Sequence, residues 1–594
     1  MTTYPNVEQH VTTLLEQMTL AEKIGQMTQV EKGSITPAQV TEHTIGSVLS
    51  GGGGAPSPDR NTAPDWAEMV REFAEAALQT RLQIPLLYGV DAVHGHNNLA
   101  GATIFPHNIG MGAANDDDLI ERIAEITATE ILATNIHWTF APAVSVPQDF
   151  RWGRTYEGFS DNTEIVTRLG TAYVRGLQQQ DGARIRALVS VKHYVGDGAT
   201  AHGSKTSTPW IPGWWLSDGT TWTMDQGDAQ IDEETMRHIH LVPYKAAIDA
   251  GAMNIMVSYN SLNGQKMHGS RYWLTDVLKG ELAFDGFLVS DWMAIDQLSE
   301  DFYTCVVTSI NAGLDMVMVP FDFVRFISTL TRAVEQGDVP ESRINDAVTR
   351  ILRAKVMLGM FDQPLPNSET HLPAFGSDAH RAVAREAVQK SLVLLKNESA
   401  LPVAKDTPTI FVAGQHADDM GMQCGGWSIE WQGKTGDITT GTTILEGIRS
   451  AVADGTTVTY STRGVYPEGT HAEVGIAVIG EPPYAEGEGD RDTLTLSAED
   501  MRTVERLRAV CGTLVIVLVS GRPLEIVDVL EHANGFVAAF LPGTEGAGVA
   551  DVLFGDVPFT GKLSYTWPRS SDQLPLNSNN AQPGEALFPI GHGL

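Results

Sequence analysis

The sequence predicts an α/β protein: a (β/α)8-type barrel, irregular in outline, followed by an αβα sandwich domain. Three observations predict it. Across roughly the first 360 residues, short apolar runs alternate with helix-period stretches, the pattern of repeated βα units around a parallel sheet. DQPLPNSETHLPAFGSD (362–378) carries three prolines and no periodicity, and reads as a linker. A second α/β pattern then runs to the end. The expected organisation is a barrel over 1–361, a linker over 362–378 and a sandwich domain over 379–594.

In chain order, the barrel strand candidates are IGSVLS (45–50), IPLLYGVDAVHG (84–95), HWTFAPAVSV (137–146), RALVSVKHYVGDG (186–198), NIMVSYNSLNG (254–264), FDGFLVSDW (284–292) and LDMVMVP (314–320). Seven runs are one short of a regular eight-stranded barrel. NDDDLIERIAEITATEILAT (115–134) opens on Asn and Asp, which suit a helix start. Gly51-Gly52-Gly53-Gly54 reads as a mobile loop. Past the linker, a helix over 379–390 precedes TIFVAGQHA (409–417), VGIAVIGE (474–481), TLVIVLVSGRP (513–523) and GFVAAFLPG (535–543). These fit an open sheet with helices on both faces.

Hydrophobic residues make up 42% of the 594 and charged residues 19%, a globular composition. Lys+Arg is 40 against Asp+Glu 73, a net charge of -33. Such a surface repels nucleic acid and anionic membranes and suits neutral or cationic ligands. Cys305, Cys424 and Cys511 form no CxxC pair, so free thiols in a reducing compartment are expected. The first 20 residues lack a basic stretch followed by an apolar core, and no apolar run approaches the ~18 residues of a membrane span. The expectation is a cytoplasmic protein with no nucleic-acid or membrane partner; oligomeric state leaves no signal.

Barrel enzymes place their chemistry at the C-terminal strand ends. Here those ends carry Asp91 with His94 behind it, Arg151-Trp152-Gly153-Arg154, Lys192-His193-Tyr194 with Asp197, Met256 and Tyr259-Asn260, and Asp291-Trp292. Singly, each has a plain structural reading. A strand-end Asp is commonly a cap or turn former, a Lys a salt-bridge partner and a mid-strand Met part of the core. Together they point to one concave polar pocket. Carboxylates, Lys, Arg and His all hydrogen-bond hydroxyls, and indoles offer flat apolar faces to a sugar ring. No His/Cys/Asp cluster has metal-ligand spacing and no phosphate-binding loop is present, so no cofactor is expected.

MTLAEKIGQM (18–27), GVDAVHG, WGRTYEGFSD (152–161), VKHYVGDG, VSYNSLNG, LVSDW, SLVLLKN (391–397), CGGWSIEWQG (424–433) and GEPPYAEGEGD (480–490) together resemble glycoside hydrolase family 3, in particular its two-domain β-glucosidases and exo-β-glucanases. The resemblance implies a barrel joined to a sandwich domain with the site between them, and exo-hydrolysis of β-linked glucose with retention. The partner it implies is a small-molecule or oligosaccharide β-glucoside.

By resemblance, Asp291 is the nucleophile. Retention needs a second carboxyl about 5–5.5 Å away as acid/base. The family motif places it after a Pro-Tyr dipeptide, which matches Glu486, with Glu488 the neighbouring alternative. Gly487 and Gly489 lend that loop the freedom of a closing element. Asp91, Arg154, Lys192, His193 and Tyr259 match positions that bind hydroxyls of the terminal sugar, and Met256 matches a contact beside them. Trp292 and Trp431 match two indoles that sandwich the next sugar, with Trp427 nearby.

Two departures stand out. Gln297 occupies a position where the exo-glucanases carry Arg. TAHGSKTSTPWIPGWWLSDGTTWTMDQGD (200–228) brings Trp210, Trp214, Trp215 and Trp222, which either shape a leaving-group subsite or pack as a surface loop. Alternative activities are β-xylosidase, the β-N-acetylhexosaminidase or phosphorylase chemistry of the same family, and sugar binding without catalysis. The hexosaminidase pattern of Pro-Gly-His is missing from the KHYVGDG stretch.

Overall fold

The computed structural model describes residues 5–211 and 222–594. Packing divides the chain into two compact units, Met1–Leu99, Ala124–Ser145 and Gly170–Phe375 forming one, and Ala100–Ile123, Val146–Leu169 and Gly376–Leu594 the other. The WGRTYEGFSD segment therefore belongs to the second unit, although it precedes most of the first in sequence.

The first unit is a barrel of parallel strands in two hydrogen-bonded arcs. One arc runs, in spatial order, Val317–Met318, Thr28–Glu31, Ser47–Ser50, Leu87–Val90, Trp138–Thr139 and Leu188–Val189. The other runs Phe287–Val289, Asn254–Val257 and Val191–Tyr194. Leu188–Val189 and Val191–Tyr194 are halves of one strand interrupted at Ser190, which gives eight strand positions among the described residues. Single parallel bridges, Ala143 with Lys192 and Val289 with Met316, join the arcs. The barrel is thus irregular, as the sequence suggests.

The eighth position is Thr28–Glu31, absent from the seven apolar runs. Thr28 and Gln29 are polar yet buried: the Thr28 hydroxyl donates to the Ile24 carbonyl at 2.9 Å and the Gln29 amide to Ser47 Oγ at 2.9 Å. Polar side chains held by these bonds occupy the interior there, although Gln29 Oε1 has no partner, so the hydropathy signal of a strand is weak. Elsewhere the filling is tight. A Cβ on Gly89 would lie 2.5 Å from the Phe140 ring, and Trp138 meets Phe140 edge-on at 5.1 Å.

One local expectation holds and one changes. The helix expected over 115–134 runs Asp117–Leu132, and Asn115, left-handed at φ 53°, separates it from the preceding helix Asn108–Ala114. The 51–54 glycine run forms a turn, with Gly54 N–H donating to Gly51 O at 2.9 Å and Gly53 N–H to Asn98 Oδ1 at 3.1 Å.

The second unit is an open six-stranded sheet ordered Val393–Asn397, Gly535–Ala538, Cys511–Val519, Ala472–Gly480, Thr409–Ala413, Thr457–Ser461. The first strand is antiparallel to its neighbour and the rest are parallel. Along Ala472–Gly480 and Cys511–Val519 the last six residues are buried without alternation, as strands covered on both faces must be. Thr457–Ser461 is half-buried over most of its length, and this edge strand carries too little apolar signal to be read from sequence. Helix starts follow sequence chemistry: Ser377 caps Asp378–Ser391, Thr443 and Glu446 form a capping box, and Ser497 caps Ala498–Arg508.

Cys305, Cys424 and Cys511 are unpaired thiols. Among the described residues, no helix is long and apolar enough to cross a membrane, and no group of three His, Cys, Asp or Glu is arranged to hold a metal.

Candidate active site

In the first unit, Asp91, Lys192, His193, Met256, Tyr259, Asp291 and Trp292 all fall at or beside C-terminal strand ends, and most are buried. Asp291 follows Phe287–Val289. Its Oδ1 accepts the Trp292 N–H at 2.7 Å, and its own N–H donates to His268 Nε2 at 3.2 Å. Burial pushes the His268 imidazole down to about 3, so it stays neutral and can accept that bond.

His193 faces the same carboxylate. Its Nε2 lies 3.7 Å from Asp291 Oδ2, while its Nδ1 is 2.9 Å from Asp197 Oδ2. Asp197 is itself held, accepting the Ser145 hydroxyl at 2.6 Å and the Gly198 N–H at 2.9 Å. A carboxylate fixed by two donors orients the ring that touches it. Lys192 Nζ lies 3.7 Å from Asp91 Oδ1. The Asp91 carbonyl accepts from the Asn97 and Asn98 amides, each at 2.9 Å, which holds the turn after Leu87–Val90.

The Tyr259 hydroxyl donates to the Trp292 carbonyl, tying the fifth expected strand end to the sixth. Trp292 is half-buried and packs edge-on against Phe321 at 5.4 Å. Met256 lies on Asn254–Val257 and is 2% exposed, so its contact with a ligand is confined to a small part of its surface.

In the second unit, Arg154 is a shared cation. Its Nε and Nη2 each donate to Glu157 at 2.8 Å, and its Nη1 donates to Glu486 Oε1 at 3.1 Å. The Trp427 indole N–H donates to Glu157 Oε1 at 3.1 Å, and the guanidinium stands 6.0 Å from the Trp427 ring. Glu486 sits at φ 53°, at the start of the short turn Glu486–Gly489. The approach of 152–154 to this turn requires glycine. A Cβ on Gly153 would lie 1.9 Å from the Glu486 carbonyl, and one on Gly489 would lie 2.2 Å from the Tyr484 ring. Gly489 therefore serves close packing rather than loop freedom. Trp431 is half-buried, and its carbonyl accepts the Trp427 N–H at 2.9 Å.

Sequence reasoning did not single out Glu157 or His268, and noted Asp197 only in passing. Glu157 has a local signal, three residues after Arg154 within one motif. His268 has none, because its link to Asp291 spans 23 residues. Of the tryptophan-rich segment, Trp214 and Trp215 lie outside the described residues. Trp222 is 1% exposed and packs as core, while Trp210 is 39% exposed with its indole N–H on the Asp296 carbonyl at 2.9 Å.

Residues 19–214 and 217–354 match the glycosyl hydrolase family 3 N terminal domain, and residues 392–594 match the family 3 C-terminal domain. The chain belongs to glycosyl hydrolase family 3. It is 31% identical to a lysosomal beta glucosidase of Dictyostelium discoideum over 98% of this chain and 75% of that protein. It is 29% identical to a periplasmic beta-glucosidase of Salmonella typhimurium over 98% and 76%. An exo-1,3/1,4-beta-glucanase from a Pseudoalteromonas species superposes with TM-score 0.92 at 41% identity, covering 100% of this chain and 75% of that one. A mutant beta-glucosidase from Listeria innocua, in complex with laminaribiose, gives TM-score 0.84 at 25% identity over 99% and 83%. As a family 3 member the chain is a glycoside hydrolase.

Proposed function

We propose that this chain is a retaining exo-β-glucosidase that releases glucose from the non-reducing end of β-glucosides and β-gluco-oligosaccharides. The observation that carries this reading is the setting of Asp291. Its carboxylate accepts a backbone N–H and faces the His193 imidazole anchored by Asp197, and Lys192, the residue before that histidine, pairs with Asp91. A nucleophilic carboxylate flanked by hydroxyl-binding groups is what double displacement on a sugar requires.

In the first step Asp291 attacks the anomeric carbon as the bond to the leaving oxygen breaks, and Glu486 gives that oxygen a proton. In the second, Glu486 takes a proton from water, which displaces Asp291 and restores the β configuration. Arg154, bound to both Glu157 and Glu486, fixes where the Glu486 carboxyl points. Asp91, Arg154, Lys192, His193 and Tyr259 bind hydroxyls of the terminal glucose, Met256 lines the same pocket, and Trp292 and Trp431 stack on the leaving group.

Two measurements test this. A 2-deoxy-2-fluoro-β-glucoside should label Asp291, and a label elsewhere in an enzyme whose Asp291→Asn variant still turns over rejects the nucleophile. Glu486→Ala should stall after glycosylation by an activated aryl β-glucoside, and azide should restore turnover as β-glucosyl azide. If the label is right but azide has no effect, Glu486 is not the acid/base and Glu488 is next.

A further inference from the structure

The described part of the 200–228 segment and the turn after Trp292 meet in a polar cluster in the first unit. Gln297, 5% exposed, is its centre. Its Oε1 accepts from Lys266 Nζ at 2.8 Å and its Nε2 donates to Gln226 Oε1 at 2.9 Å. Gln226 Oε1 also accepts from Lys205 Nζ at 2.7 Å, and Lys205 stands 5.9 Å from the Trp222 ring. Lys266 Nζ further donates to the Tyr259 carbonyl at 2.8 Å and the Gln226 carbonyl at 3.2 Å.

All three ammonium donors of Lys266 thus go to neutral oxygens. A charge enclosed without a carboxylate at contact distance is costly, and charge-assisted bonds to fixed acceptors offset part of that cost while fixing geometry. Gln226 adds strain by holding φ at 61°, a region that residues with side chains seldom occupy and that marks sites where position matters.

The cluster reaches the reacting carboxylate along two short routes. Tyr259, held at its carbonyl by Lys266, donates its hydroxyl to the Trp292 carbonyl. Lys266 also ends the Ser261–Lys266 hairpin, two residues before His268, which accepts the Asp291 N–H at 3.2 Å.

We propose that Lys266 is a positioning residue for the leaving-group side of the pocket, clamping the Tyr259 main chain and the Gln297 side chain so that Trp292, on the turn that Gln297 anchors, presents one fixed face to the departing sugar. This rests on the glucosidase reading above. Lys266 supplies from the hairpin a cation that position 297 lacks, and it acts through Gln297 rather than on substrate.

The charge state of Lys266 carries a distinctive signature. Burial pushes its ammonium down to about 7; the neighbouring Lys205 charge works the same way, and Asp225 and Asp228 oppose it. The other titratable group facing it is His268, held neutral by burial and by the Lys266 charge. Above neutrality Lys266 keeps two donors for three acceptors, and the clamp loosens.

The test compares a β-linked glucose disaccharide with an aryl β-glucoside, whose leaving group is not a sugar, across pH 5–9. The comparison uses wild type, Lys266→Met, Lys266→Arg and Gln297→Leu. Lys266→Met should raise the disaccharide KM about 10-fold, the equivalent of one lost positioning bond, and leave aryl-glucoside kcat within about 3-fold. In wild type the disaccharide KM should climb above neutral pH; Lys266→Arg, which cannot lose its charge, should keep it low, and Lys266→Met should be flat and high. Gln297→Leu, which leaves the lysine in place, should reproduce the disaccharide defect if Lys266→Met fails to fold. Equal losses on both substrates, or a wild-type pH profile unchanged in Lys266→Met, overturn the proposal while leaving the glucosidase reading intact. Wild type inert on both substrates overturns both.

Discussion

Asp291 answers why an apolar strand ends in a carboxylate. A buried Asp needs partners, and here the partners are an N–H from the next residue and an imidazole 3.7 Å away. The imidazole is aimed by Asp197, whose own carboxylate is pinned by Ser145 and Gly198. Asp197→Asn preserves shape but removes the acceptor that orients Nδ1 of His193. Since displacement of a positioning group by about 1 Å costs on the order of 100-fold, kcat/KM on aryl β-glucosides should fall about 10- to 100-fold with little change in Tm. Steady-state kinetics beside calorimetry would show it. A fall in Tm with no kinetic effect would mean that Asp197 serves only the fold.

At the scale of elements, the Glu486–Gly489 turn is shaped by what lies against it within its own unit. Gly153 N–H donates to Asp490 Oδ1 at 2.9 Å, the Arg522 guanidinium donates to the Tyr484 hydroxyl at 2.9 Å, and the Tyr156 hydroxyl donates to the Tyr484 carbonyl at 2.6 Å. Adding a methyl at Gly153 drives a Cβ into the Glu486 carbonyl, and overpacking of this kind costs about 1–3 kcal/mol. Gly153→Ala should therefore lower Tm and reduce kcat at least ~10-fold, because the carbonyl that must move belongs to the proposed acid/base and a misplaced reacting group costs about that much or more. A control at Gly436, where a Cβ meets nothing within 4 Å, tests whether the effect is steric. Its positive φ of 95° will cost some stability, but kcat should hold.

At the scale of the molecule, the last helix of the barrel unit, Glu341–Met357, carries a buried cation. Lys355 Nζ donates to Gln26 Oε1 at 2.6 Å, Pro85 O at 2.7 Å and Gly46 O at 3.0 Å, so the end of the barrel is tied to its beginning. Burial alone pushes this lysine down to about 7. A depressed lysine means that the unfolded chain holds the proton over a range where the folded one does not, so wild-type stability rises with pH from about 7 to the unfolded lysine range near 10.4. The penalty is complete below pH 7 and on the order of 4 kcal/mol. Lys355→Met leaves three acceptors unmet but removes this slope. Denaturant unfolding of both proteins should give a stability difference that grows in favour of wild type between pH 7 and 10; a constant difference would show that Lys355 does not titrate on folding.

The candidate site was legible because its pieces are local. Strand-end acids, the Lys192-His193 pair, Tyr259 and the Pro-Tyr-Ala-Glu run sit in short motifs whose spacing follows from strand period and turn length. The same locality governs the helix caps the structure shows at Ser377, Thr443 and Ser497. Legibility ended where a polar residue is buried by a distant partner. Thr28–Glu31 carries little apolar signature because Thr28 and Gln29, bonded to Ile24 and Ser47, take interior places beside the single apolar residue Val30. Lys266 sits in an ordinary-looking Asn-Gly-Gln-Lys turn, and only the folded barrel encloses its ammonium with Tyr259, Gln226 and Gln297.

Sequence alone determined the βα alternation and the second α/β pattern, because period and turn chemistry are properties of neighbouring residues, and its resemblance to family 3 supplied the residues proposed for the chemistry. Tertiary structure alone decided that the barrel has an eighth strand, that WGRTYEGFSD packs with the second unit, that Arg154 is divided between Glu157 and Glu486, and that Asp197 and His268 set the frame of Asp291. Each of these is a through-space pairing, some across hundreds of residues. The free energy of a buried polar group depends on which partner closure of the fold brings within about 3 Å; Glu157 and Asp197 lie within four residues of their partners, but Glu486 and His268 are brought to theirs only by the fold.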